Sequence, residues 1–66
     1  MTTLTSEKMI DCRKELTEGE DGTYRVTVFA PTDTGDKWKF VDFLSLEEAQ
    51  GVYDNVDYYE DLGKVG

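Results

Sequence analysis

The fold is decided by Thr23-Tyr24-Arg25-Val26-Thr27-Val28-Phe29-Ala30 and, past Pro31-Thr32-Asp33-Thr34-Gly35-Asp36, by Lys37-Trp38-Lys39-Phe40-Val41-Asp42-Phe43-Leu44. Both outer runs are rich in β-branched and aromatic residues and alternate with a period of two, which reads as strand. Between them, proline fixes φ and Gly35 supplies a positive φ, so the two strands form a hairpin. With a loop spanning Pro31 to Asp36, Ala30 falls opposite Trp38, Val28 opposite Phe40 and Val26 opposite Asp42. The even-numbered residues of both strands then share one apolar face, with Trp38 at its centre.

Upstream, Lys8 to Leu16 supports two readings. As a helix, Met9, Cys12 and Leu16 lie on one stripe, Ser6 caps and Gly19 stops it. As a strand, Ile10, Cys12 and Leu16 share a face, with Lys14 the exception. If Glu18 to Gly22 is a turn, Leu16 falls opposite Tyr24 and Cys12 opposite Val28, which adds a third strand to the same apolar face. The strand reading is preferred; helix, β-hairpin, helix is its rival. Downstream, Ser45-Leu46-Glu47-Glu48 has the spacing of a capping box, and Leu46, Ala49, Val52, Tyr53 and Val56 form a helical stripe. Gly51 weakens that helix and suggests a close approach, and Asn55 fits a left-handed stop. The expected fold is therefore α+β: a three-stranded antiparallel meander with one C-terminal helix across one face. Residues 1–7 read as a flexible N-terminus, 8–56 as the single domain, and 57–66 as an acidic tail.

Sixty-six residues with 15 acidic and 7 basic side chains, a net charge of −8, disfavour direct contact with nucleic acid or an anionic membrane. No signal peptide is legible at the N-terminus, and no apolar run reaches the roughly 20 residues of a membrane helix. One cysteine excludes an internal disulfide and fits a reducing cytoplasm.

Catalysis is not expected. Histidine is absent, and Cys12 reads as a small core residue rather than a nucleophile. Neither the Glu18, Glu20, Asp21 turn nor the Asp33, Asp36 turn has the spacing of a calcium loop, so no metal or cofactor is expected.

Two surfaces remain. Glu47, Glu48, Asp54, Asp57, Glu60 and Asp61 line the last third, with Tyr58 and Tyr59 as aromatic anchors, and carboxylates so arrayed can stand in for phosphates against clustered Lys and Arg. On the opposite sheet face, Phe29, Val41 and Phe43 would make an apolar patch bordered by Arg25, Lys37 and Lys39, unless a bulge near Phe40 turns Val41 and Phe43 inward. The first surface predicts a non-catalytic interaction protein, an inhibitor or adaptor for a basic and possibly nucleic-acid-binding site on a larger protein. The second predicts a homodimeric structural or assembly subunit. In size and charge alone the chain is similar to small acidic proteins of phages and mobile elements, some of which block nucleic-acid-binding enzymes.

Overall fold

The computed structural model describes residues 2–63. Four antiparallel strands, β1 (Thr2–Lys8), β2 (Arg13–Glu18), β3 (Tyr24–Thr32) and β4 (Gly35–Phe43), pair in chain order, followed by α1 (Leu46–Asn55) and the single turn α2 (Tyr59–Leu62). The α+β class holds. There are four strands rather than three, because the segment read as a flexible N-terminus is β1. Its residues escape a periodicity reading for a physical reason: an edge strand exposed on both sides has no face to make apolar. Its register shifts between Thr3 and Thr5, as a bulge requires.

Pairing sorts the side chains into two faces. Across one face run the rows Glu7, Lys14, Val28, Lys39; Thr5, Leu16, Val26, Val41; and Thr2, Glu18, Tyr24, Phe43. Across the other run Lys8, Arg13, Phe29, Trp38; Ser6, Glu15, Thr27, Phe40; and Thr3, Thr17, Arg25, Asp42. The helices cover the first. Its buried core joins Cys12, Leu16, Val26, Val28 and Ala30 to Ala49, Tyr53, Val56, Tyr59 and Leu62, with Val41, Phe43 and Tyr24 packed at the margin.

Two registers differ from expectation, with unequal consequences. Between β2 and β3, Leu16 pairs with Val26 rather than Tyr24, a slip of two residues that leaves every side chain on its expected face. Between β3 and β4, Ala30 pairs with Lys37 rather than Trp38, a slip of one. A one-residue slip turns a whole strand over. Trp38 and Phe40 therefore lie on the helix-free face, while Val41 and Phe43 turn to the core without a bulge at Phe40. The cause is the loop. Thr32 pairs with Gly35, so only Asp33 and Thr34 lie between the strands, and Gly35 takes φ 126° at the start of β4. Pro31 lies beyond the last β2 partner of β3, where its missing N–H takes nothing from the β2 ladder.

The segment Lys8–Leu16, read as one strand, is divided: Lys8 ends β1 and Arg13 begins β2, while Met9 to Cys12 turn the chain, closed by the Met9 amide on the Cys12 carbonyl at 2.8 Å. The turn expected at residues 18–22 spans 19–23 instead, because Glu18 still pairs with Tyr24 as the last residue of β2. The Gly19 amide donates to the Thr23 carbonyl at 2.8 Å, and Asp21 Oδ1 accepts from the Thr23 amide and hydroxyl at 3.2 and 2.7 Å. Those bonds hold the Asp21 carboxyl below its usual range.

In α1 the Ser45 hydroxyl accepts from the Glu48 amide at 3.2 Å, as an N-cap should. Ala49, Tyr53 and Val56 are buried, but Leu46 is 43% exposed and stands outside the stripe it was expected to lead. Gly51 answers no close approach: a Cβ there would meet nothing within 4 Å. Nor does Asn55 adopt a left-handed conformation; its Nδ2 donates to the Gly51 carbonyl at 2.6 Å instead.

Candidate interaction surfaces

Lys14 decides where the helical layer sits. This lysine is buried on β2, and its ammonium donates to the Tyr53 carbonyl at 2.7 Å and to the Val56 carbonyl at 3.4 Å. It also lies 4.3 Å from the Tyr53 ring centroid, with Glu7 at 3.9 Å. The C-terminal carbonyls of a helix lack intrahelical donors and carry the negative end of its dipole, so a buried cation is matched there without a full ion pair. The residue that broke the apolar pattern of β2 is thus the one that anchors α1.

With α1 held this way, Glu47, Glu48, Asp54 and Asp57 are exposed, and Glu60 joins them from α2. Among the described residues the ion pairs are Lys14 with Glu7 and Arg25 with Asp42, so these five carboxylates stand in neither. Two other members of the expected surface do not belong to it. Asp61 Oδ2 accepts from the amides of Asp57 and Tyr58, each at 3.0 Å, and so closes the turn before α2. Tyr59 is buried, with the ammonium groups of Lys37 and Lys39 at 4.5 and 4.7 Å from its ring centroid. Tyr58 remains exposed and is the one aromatic anchor of this layer. The segment read as a tail is thus ordered through Gly63 by burial of Tyr59 and Leu62; residues 64–66 lie outside the described residues.

The helix-free face is the second surface, and its composition differs from the one expected. Of Phe29, Val41 and Phe43, only Phe29 is on it. Its aromatic members are Phe29, Trp38 and Phe40, and Trp38, expected in the core, is 56% exposed. The Trp38 and Phe40 rings stack at 5.5 Å between centroids. Guanidinium groups lie over two of the rings, Arg25 at 4.1 Å from Phe40 and Arg13 at 5.0 Å from Phe29. Arg25 is fixed by a two-pronged pair with Asp42, at 2.8 and 3.2 Å. Exposed Trp and Arg held by neighbours lose little conformational freedom on binding, the property of residues that dominate interface energetics. The signal for this face was Asp33-Thr34-Gly35, two turn residues followed by a glycine free to take a positive φ, which shortens the loop and turns β4 over.

At the end of this face the β1–β2 turn leaves an open depression of about 400 Å³, lined by Lys8, Met9, Ile10, Arg13, Phe29 and Pro31. Cys12 closes its floor as a buried thiol, and burial, aided by the carboxylates of Asp11, Glu60 and Asp61, pushes its pKa to about 11. A thiol so protonated is a poor nucleophile and metal ligand. Among the described residues no three acidic or cysteine side chains gather as a metal site, and no helix is long and apolar enough to cross a membrane. No protein family, curated protein or solved structure matches the chain.

Proposed function

We propose that this chain is a non-catalytic interaction module whose acidic helical layer binds a basic surface on a larger protein, as an inhibitor or adaptor in the cytoplasm. One observation carries the reading: Glu47, Glu48, Asp54, Asp57 and Glu60 are exposed together on the helical layer and stand outside both ion pairs of the described residues. Carboxylates outside the ion pairs of the described residues add to a field that steers a cationic partner and raises its association rate. Tyr58, half exposed beside Asp57, supplies an amphipathic contact at the same place. The free, buried cysteine supports the compartment.

Capture by the tagged chain from its native lysate, at low and at high salt, identifies the partner and tests the reading. A basic protein, retained at low salt and released at high salt, is the expected result. Asp54→Lys combined with Asp57→Lys should then slow association at least tenfold. Asp54 lies in the last turn of α1, where a cation favours the helix dipole, so weakened binding by this variant does not reflect a lost helix. Retention of a partner equally at all salt concentrations overturns the proposal.

A further inference from the structure

The helix-free face has features that the acidic helical layer does not explain. Its charges balance: Lys8, Arg13 and Arg25 stand with Glu15, Asp36 and Asp42, so the excess of −8 resides elsewhere. Two copies of so acidic a chain repel one another over most of their surfaces, and this face is where that repulsion vanishes. The face is also lopsided. Cations gather at the β1–β2 edge, with Lys8 beside Arg13, while the stacked Trp38 and Phe40 rings gather on β4.

Lopsidedness of this kind is self-complementary under one symmetry operation. A two-fold axis parallel to the strands lays β4 of one copy over β1 of the other and keeps each transverse row facing itself. Trp38 then meets Lys8, Phe29 meets Arg13, Glu15 meets Thr27, and Arg25 meets Thr17, so no like charges oppose one another in these three rows. An axis across the strands through the middle row would set Glu15 against Glu15. The strand-parallel arrangement also brings Trp38 to the row that ends in the 400 Å³ depression beside Lys8, Arg13 and Phe29.

We propose that this face is a homodimer interface, in which the Trp38 ring of each copy seats against the Lys8–Arg13 depression of the other. Four strands about 4.8 Å apart and some 20–30 Å long offer roughly 500 Å² per copy. The total of about 1,000 Å² is at the low end for a specific interface, the size class of weak and transient encounters. Cation–π contacts between the basic edge and the aromatic edge supply its specificity.

Sedimentation equilibrium of the full chain from about 1 to 200 µM, with emission from Trp38, the sole tryptophan, tests the proposal. The expected result is a doubling of mass across that range with a blue shift as the indole leaves water. Trp38→Asp and Arg13→Asp each weaken association at least tenfold while circular dichroism stays unchanged. Because Arg13 is exposed, its variant tests the interface even if the tryptophan variant fails to fold. Asp54→Lys leaves the dimer intact, which separates this interface from the acidic layer. A chain that stays monomeric to the highest concentration, or a dimer that survives both variants, overturns the proposal. So does a monomer whose Trp38 emission is quenched by oligothymidylate, which would assign the face to a single-stranded nucleic acid.

Discussion

Lys14 Nζ and the Tyr53 carbonyl oxygen lie 2.7 Å apart, a buried charge-assisted hydrogen bond between β2 and the C-terminal turn of α1. Its other partners are the Val56 carbonyl at 3.4 Å and the Tyr53 ring, while Glu7 stands 3.9 Å away and is largely exposed. Removing the ammonium leaves the Tyr53 carbonyl buried without that donor. Lys14→Ala should therefore cost about 2–4 kcal/mol, combining the lost bond with a cavity beneath the tyrosine ring. Lys14→Met keeps most of the volume and should cost about 1–2 kcal/mol less than the alanine variant. Urea midpoints measure both. An alanine variant as stable as the parent would mean that the contact does not hold the helix.

Gly51 lies on the exposed side of α1 with open space where a side chain would project. Glycine disfavours a helix interior by about 1 kcal/mol relative to alanine, and nothing here repays that. Gly51→Ala should raise stability by about 0.5–1 kcal/mol, read as a higher melting temperature. Destabilisation would show that the helix needs the glycine for a contact in an assembly.

The register of β4 predicts an order of core substitutions opposite to the one residue size suggests. Val28 is fully buried between the sheet and the helices, whereas Trp38 stands more than half in solvent. Val28→Ala should cost about 2–3 kcal/mol, and Trp38→Ala less than about 1 kcal/mol in dilute solution. Chemical denaturation at low concentration, where self-association is negligible, gives the comparison. A Trp38→Ala cost above that of Val28→Ala would restore Trp38 to the core.

Much of the fold is legible in the chain. The central hairpin, a turn between β2 and β3 and the Ser45-capped helix follow from alternation, turn residues and capping, which are local signals. The parts that were not legible depend on geometry that composition does not encode. Thr2–Lys8 pairs at an edge and needs no apolar face, so no pattern marks it. Lys14 looks out of place until the carbonyls of Tyr53 and Val56 are brought above it. The candidate surface changed most, because it depended on whether the loop after Thr32 holds two residues or more. That single count moved Trp38 and Phe40 out of the core and Val41 and Phe43 into it. The acidic layer survived this change, since α1 presents its carboxylates outward whichever face of β4 lies beneath. Only Tyr59 and Asp61 left it, one to burial and one to closing a turn.

Cys12 makes the stability of the fold depend on alkaline pH. Burial first, and then the neighbouring carboxylates of Asp11, Glu60 and Asp61, raise its thiol from 9.0 to about 11. Below pH 9 the thiol is protonated in both folded and unfolded chains and contributes no slope. Between pH 9 and 11 the unfolded chain releases this proton while the folded chain keeps it, so stability falls as pH rises. Tyr53, whose phenol burial also raises above its usual 10.0, extends the decline at the upper end. Urea unfolding from pH 7 to 11 should show a plateau followed by this fall, and Cys12→Ala should delay the onset toward pH 10, where the tyrosine takes over. At pH 8 the native thiol should react with a disulfide reagent far more slowly than the unfolded one. Fast labelling of the native chain, or an alkaline limb unchanged in Cys12→Ala, would place the thiol in solvent rather than in the core.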